Sequence, residues 1–330
     1  MRIGLDTLRE RLEGLLVPAF GGEAKRIIDV LVWTEMAGIV TQGHIKLTGT
    51  EPMQRIAPDG AIRTERDTAV SRQIDAAHNP AMLATQIATD VAIEKASASG
   101  VGVVGVRGIF SSNGAQAYYA DRIARLGLLA LVMSRSPASV APFNSIDPLF
   151  GTNPIGAGFP VSEGDPLVFD LATSALTWYG LVLAKARGDV IPFGVAIDAD
   201  GNPTTDPSVA MSGALLPFDR GAKGSSLGLL VELMAGPLVG AGAVDVALDQ
   251  QWGSIVIALD PDILAGRDAF ARGVTAAIAE MRKVRTRGES LRLPGQRMYA
   301  ALREASARGW LEIDDAIARE LGWADATAPR

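Results

Sequence analysis

No cysteine occurs in this chain, and its only histidines are His44 and His78. Disulfides, thiolate metal sites and a cysteine nucleophile are thereby excluded, a usage that fits a reducing compartment. Two histidines without H-x-x-x-H or H-E-x-x-H spacing do not make a zinc site, so no metal is expected. A basic excess is also lacking: 31 Lys and Arg stand against 37 Asp and Glu, a net charge of −6, which argues against nucleic acid as a partner. Long unbroken apolar runs are missing too. The nearest, "LGLLVELMAGPLVGAGAVDVAL" (227–248), is interrupted by Glu232, Pro237, Asp245 and several glycines, and reads as a buried helix followed by a turn rather than a membrane span. The opening "MRIGLDTLRERLEGLL" mixes both charge signs with its leucines, unlike a signal peptide, so the expected location is the cytoplasm.

What is present is a chain of 330 residues, 48% apolar, long enough for one large or two ordinary domains with a sizeable core. Leu5, Leu8, Leu12, Leu15 and Leu16, then Ile27, Ile28, Leu31 and Val32, recur at helical spacing and predict two N-terminal helices. "AGIVTQGHIKLTGTEP" ends that pattern at Gly38 as loop or short strand. "RIAPDGAIR" reads as a hairpin-like turn on Asp59-Gly60. A helix is expected over 79–97 with Asn79 as its cap and Pro80 in its first turn. Strand-like "GVGVVGV", a helix from Tyr118 to Leu126, strand-like "LGLLALVMS" and "PLVFDLA", helical "SALTWYGLVLAKARG", β-like "FGVAIDADG", strand-like "WGSIVIALDPD" and helical "AFARGVTAAIAEMRKVRT" follow in turn. Strands alternating with helices favour an α/β architecture with a covered sheet. The end, from Gly288, is an exposed "LRLPGQR" turn and a charged helical tail, either packed on the body or a partner or simply solvated.

Polar clusters gather at the ends of the β-like runs, where α/β sheets bind ligands. "SRSPASVAP" follows the strand ending at Met133, "FGTNPIGAGFP" comes next, "FDLATS" ends a strand, and "LLPFDRGAKGSSLG" precedes a helix. Lys223 in "GAKGSS" sits where a cation and backbone donors could jointly hold phosphate, the alternative being a solvated lysine in a flexible turn. Neither a Walker pattern nor G-x-G-x-x-G occurs, which removes the standard dinucleotide fingerprint, and without G-x-S-x-G a Ser-His-Asp hydrolase falls as well. Asp170 could receive a ribose hydroxyl or cap a helix. His44 is a candidate general acid or an ordinary polar surface residue, whereas His78 reads as part of the approach to the next helix. "IDADGNPTTDP" lacks the closing glutamate of a calcium loop and reads as a tight turn.

Taken in order, "GTNPIGAGFP", "FDLATS", "DADGNPTTDP", "GALLPFDRGAKGSSLGLLVELMAGPLVG" and "LPGQ" resemble the malate/L-lactate dehydrogenase family of NAD(P)-dependent 2-oxo-acid and cyclic-imine-acid reductases, from about Gly38 to Gln296. The resemblance implies that family's own non-Rossmann nucleotide-binding domain, over 106–264, beside a substrate and dimerisation domain built from 1–105 and 265–330. It also implies a homodimer, a small carboxylate substrate and NADPH or NADH as cofactor. Cofactor contacts are implied for Ser134, Ser136, Asn153, Asp170, Ala172, Thr173, Ser174, Lys223, Gly224, Ser225 and the turn Pro294-Gly295-Gln296. Arg135, beside Ser134, mildly favours NADPH.

Members carry a Ser-His-Gly loop with an arginine three residues beyond the glycine. This chain reads "TQGHIK", with Gln42 in place of the histidine acid and Lys46 in place of the arginine that takes the substrate carboxylate. A second histidine of the family falls where this chain has Ser111-Ser112-Asn113-Gly114. Both usual acids are therefore missing. Reducing a ketone makes an alkoxide that needs a proton, whereas a protonated imine already carries one and leaves as a neutral amine. The expected activity is thus reduction of a cyclic imine carboxylate, with Lys46 on the carboxylate and Gln42 and Ser112 near the ring nitrogen. The "KGSS" variant also resembles the imine-acid branch. Two alternatives stand beside it: a 2-oxo-acid dehydrogenase that uses His44 as its acid, and a cofactor-binding homologue with lost or redox-neutral activity.

Overall fold

The structure is a computed structural model and describes residues 1–48, 52–242, 252–289 and 291–323. Its centre is a seven-stranded mixed sheet in the order β2-β3-β4-β10-β5-β6-β7. In chain order the elements are β1 (Arg2–Gly4), α1 (Leu5–Phe20), α2 (Ala24–Met36), β2 (Arg63–Asp67), β3 (Ser71–Asp75), α3 (Ala81–Ser99), β4 (Val101–Ile109), α4 (Gln116–Ala124), β5 (Leu129–Arg135), β6 (Ile155–Phe159) and β7 (Leu167–Leu171). They continue with α5 (Trp178–Arg187), β8 (Ala196–Ile197), α6 (Pro207–Ser212), β9 (Ala214–Leu215), α7 (Ala222–Ala235), β10 (Trp252–Leu259), α8 (Arg267–Lys283), α9 (Gln296–Arg308), β11 (Trp310–Glu312) and α10 (Asp315–Glu320). β3 and β4 run parallel and the other neighbours in the sheet are antiparallel. No helix among the described residues is long and apolar enough to cross a membrane.

The central strands read as continuous apolar runs because both of their faces are covered. Successive side chains point to opposite faces. Val104 and Val106 of β4, Val132 of β5 and Val256 of β10 therefore enter the large core shared with α2, α3 and α4. Met133, Ile255 and Val103 face the other way, against Val231 and Ala235 of α7. A separate apolar cluster joins Val140, Phe150, Leu181, Ile191 and Leu215 around the β8–β9 pair.

Several expectations are corrected and others are located in the fold. The hairpin is β2–β3, with Thr68 Oγ1 accepting the N–H of Ser71 at 2.9 Å, and Asp59-Gly60 is a bend tied to it through Asp59 N–H and Ala77 C=O. β2, "RTERD", is an exposed, charged edge strand with no apolar alternation to read. Asn79 does not cap α3; its side chain donates to Gly60 O and Ala76 O, and Ser111 Oγ accepts the first helical N–H, at Ala81, at 2.9 Å. α7 is not wholly buried, since Leu229, Leu230 and Leu233 are exposed, and 243–248 of that run lie outside the described residues. "FGVAIDADG" yields only the two-residue β8, and its Asp198 Oδ1 accepts the N–H groups of Asp200 and Asn202, the tight turn expected of it. β1 pairs with β11, so the C-terminal tail packs on the body over its described residues, to 323. The 105/106 division falls within β4, and strands from both sides of it share one sheet.

Candidate active site

One cleft of about 1030 Å³ opens where the loops after α2 meet the strand ends of the sheet. Gln42, Lys46, Ser112, Ser134, Ser136, Asp170 and Ala172 of the expected site line it. Arg55, Phe110, Trp178, Tyr179 and Trp252 line it too without having been singled out in the sequence, and so does His78, which the sequence reading had assigned only to the approach to the next helix. Arg55 and His78 stand in irregular segments and carry no spacing signal; the aromatic side chains are indistinguishable in sequence from core residues.

The loop 40–48 is held from below. Glu35, in the last turn of α2, places Oε1 2.9 Å from the His44 backbone N–H, which donates to it. A Cβ on Gly43 would lie 1.8 Å from that oxygen, so only glycine lets the carboxylate approach the loop this closely. His44 is thereby turned inward: it is 2% exposed, its Nδ1 lies 2.7 Å from Glu35 Oε1 but off the N–H direction, and its ring lies 5.9 Å from Trp323. It does not line the cleft, contrary to the reading that makes it the acid or a surface residue.

Lys46 points the other way. It is 2% exposed, its Nζ lies 3.1 Å from the centre of the Tyr179 ring, and no carboxylate pairs with it among the described residues. Burial pushes its ammonium well below the usual lysine range. Tyr179 is presented by the first turn of α5, whose cap Thr177 accepts the Gly180 N–H.

The cleft floor is a buried polar chain. Asn113 donates to Thr85 Oγ1 at 2.8 Å and Ser254 Oγ at 2.7 Å, Ser254 bonds Ser134 Oγ, and Gln116 donates to Ser134 Oγ at 2.9 Å. Ser134 is thus held within that network. Asp170 Oδ2 accepts the Ala117 N–H at 3.0 Å and shares the N-terminus of α4 with Gln116. Burial pushes its carboxyl up to about 6, against the pull of those two N–H groups. Because the folded value lies above the unfolded one, the stability Asp170 adds is complete below about pH 4 and is lost as pH rises through about 6. Asp170→Asn is therefore expected to gain on the parent by about 2 kcal/mol between pH 4 and 7.5. Urea unfolding across that range reads the difference, and a pH-independent offset would contradict the assignment.

Other expected contact residues have their polar atoms engaged within the protein or stand outside the cleft lining. Asn153, fully buried, donates to Glu232 Oε2 and Gly228 O and accepts the Ser136 N–H. Thr173 Oγ1 donates to Thr152 O and Asn153 O, and Ser174 Oγ to Leu176 O. Ser111 caps α3 rather than facing the cleft. Arg135, 2% exposed, is paired with Glu232 beneath α7 and cannot read a ribose phosphate. Lys223 is exposed at the start of α7, outside the cleft lining; Gly224 N–H is taken by Asp219 Oδ1, and Ser225 Oγ accepts the Phe143 N–H. Pro294 and Gln296 line a separate recess of about 340 Å³, and Gly295 packs against the Val168 backbone.

The donor set suits a dinucleotide. Ser136, Ser139 and Thr152 line the cleft, and their hydroxyls have no protein hydrogen-bond partner among the described residues, the chemistry that ribose and phosphate oxygens need; the volume is at the upper end of ligand sites. Residues 7–322 match the malate/L-lactate dehydrogenase family. The chain belongs to that family. It is an oxidoreductase of the NAD(P)-dependent class. Among curated relatives, the Delta(1)-pyrroline-2-carboxylate/Delta(1)-piperideine-2-carboxylate reductase of Pseudomonas aeruginosa is 34% identical over 97% of this chain and 98% of its own length. The (2R)-3-sulfolactate dehydrogenase (NADP(+)) of Chromohalobacter salexigens is 33% identical over 94% and 92%. Among solved structures, the delta1-piperideine-2-carboxylate reductase of Pseudomonas syringae superposes with a TM-score of 0.84 at 30% identity, covering 98% of this chain and all of that one. This family member shares its mixed α/β fold with those dehydrogenases and reductases.

Proposed function

We propose that this enzyme reduces a small cyclic imine carboxylate, of a five- or six-membered ring, with NADPH or NADH. The observation that carries the reading is Lys46: a buried cation in the cleft without a carboxylate partner among the described residues, beside Gln42 and Ser112, while the His44 imidazole is turned away. A buried ammonium is costly, and a substrate carboxylate laid against it would offset that cost and fix the ring. Gln42 and Ser112 are the groups available to hydrogen-bond around the ring nitrogen. Ser134, Ser136, Asp170 and Ala172 would hold the cofactor, with Ser139 and Thr152 beside them. Bound there, the reduced nicotinamide supplies the hydride. Tyr179, Trp178 and Phe110 exclude water, and a protonated imine accepts hydride without an alkoxide to quench. On this reading, 106–264 carries the cofactor side and 1–105 with 265–330 the substrate side, in a cytoplasmic homodimer whose second subunit would cover the exposed leucines of α7.

A second reading rests on Arg55, which lines the cleft with no ion pair among the described residues. A guanidinium in addition to Lys46 suits a dianionic 2-oxo acid, the sulfolactate type of substrate. Nicotinamide absorbance with both cofactors and a panel of cyclic imine acids and 2-oxo acids separates the two. We expect kcat/KM for Delta(1)-piperideine-2-carboxylate to exceed that of any 2-oxo acid by at least about 10²-fold. The reverse ranking installs the second reading.

A further inference from the structure

On the imine reading the ring nitrogen must hold a proton before hydride arrives, and the His44 imidazole is turned away from the cleft. His78 lines the cleft with Phe110, whose ring meets the imidazole edge-on at 4.6 Å. Its backbone is unusual: Ala77 at φ 46 and His78 at φ 62 are two successive non-glycine residues in the left-handed region. Such a conformation persists only where its surroundings impose it, and here they do. Asp75 Oδ1 accepts the Ala77 N–H, Gly108 O accepts the His78 N–H, Arg107 O accepts the Ala76 N–H, and Ala77 O accepts the Asp59 N–H. Gly108, itself at φ 68, has no room for a Cβ, which would lie 2.5 Å from Asp75 Oδ1. The turn is built to hold one imidazole at the cleft. Asp59 Oδ2, on the solvent side, lies 3.9 Å from its Nδ1. Residues 110–114 then run from Phe110 to Gly114, whose Cβ position is 3.5 Å from Gln42 O, so the segment beside His78 leads to the expected ring-nitrogen contacts.

We propose that His78 is the catalytic acid of this enzyme, protonating the ring nitrogen of the bound imine. The proposal rests on the imine reading above. In the step, an imidazolium N–H bond breaks, the proton takes the nitrogen lone pair, and the iminium forms. Hydride addition at the adjacent carbon then sends the C=N pair onto nitrogen, giving the neutral amine and a neutral imidazole that solvent reprotonates.

His78→Gln and His78→Gly are assayed with Delta(1)-piperideine-2-carboxylate and NADPH; glycine suits the left-handed backbone, so that variant keeps the fold. Both are expected to lower kcat by about 10²–10³-fold with KM within about threefold, and added imidazole should restore part of the rate in His78→Gly. Independently of turnover, diethylpyrocarbonate reads His78, because His44 is 2% exposed and the His78 side chain 36%. Pyrrole-2-carboxylate with NADP⁺ should protect it. If the parent enzyme reduces no cyclic imine, the substrate reading falls and this step with it. If the parent enzyme reduces the imine while both variants keep kcat within about threefold, or the modification goes unprotected, the histidine assignment alone is overturned.

Discussion

Lys46→Met should lower kcat/KM for the imine acid by roughly 10²–10³-fold, mostly through KM, and raise thermal stability at the same time. The two effects have one cause. The ammonium is buried over Tyr179 with no carboxylate against it among the described residues, so the free enzyme bears its desolvation and the substrate carboxylate relieves it. Truncating one member of a desolvated charge pair costs about 3–4 kcal/mol in binding, which is the stated loss at 1.4 kcal/mol per decade. For stability, a lysine whose folded value is depressed costs the fold progressively as pH drops below the usual lysine range and through that lowered value, so methionine removes a penalty at pH 7. A gain on the order of 1 kcal/mol, a few degrees in Tm, is expected. Lys46→Arg, which keeps a cation at the position, should stay within about tenfold of the parent. Steady-state kinetics and a melting curve on the same preparations check both halves. Unchanged KM in Lys46→Met would remove the carboxylate anchor, and a lowered Tm would remove the desolvation account.

Arg135→Met is expected to cost about 3–5 kcal/mol of stability. Arg135 is 2% and Glu232 1% exposed, and their pair joins the end of β5 to α7 across a site that also holds Asn153. Removing the guanidinium alone leaves a buried carboxylate whose remaining hydrogen bond among the described residues comes from the Asn153 amide. Arg135→Met with Glu232→Leu removes both charges, and urea unfolding should recover all but about 1–2 kcal/mol, since Asn153 keeps Gly228 O. The ratio of NADPH to NADH turnover in the double variant should match the parent enzyme, because this arginine reaches no cofactor. A single-variant loss under about 1 kcal/mol would show the pair to be a minor contact, and a shifted cofactor ratio would return Arg135 to the site.

Much of the site was legible where residue type and local order suffice. Gln42 and Lys46 were found because the loop between α2 and the first hairpin keeps its Gly43 and its length from glycine to cation, and both line the cleft. Ser134, Ser136, Asp170 and Ala172 were found because strand ends are where backbone and short polar side chains face ligand space. Strand-end position does not say which way a side chain points, however. Asn153, Thr173 and Ser174 sit in the same motifs, yet their polar atoms are consumed by Glu232, Thr152 and Leu176.

The sequence by itself determined the α/β class, the family and the residues Gln42 and Lys46 of the glycine loop, because these depend on residue identity, periodicity and the order of motifs along the chain. Only the tertiary structure decided that His44 faces Glu35 and Trp323, that His78 faces the cleft, and that Arg135 is spent on Glu232. The physical reason is that a side chain's direction is fixed by backbone dihedrals and by partners distant in the chain. The left-handed turn at 77–78 and the pairing of residues 97 positions apart write no local pattern into the sequence.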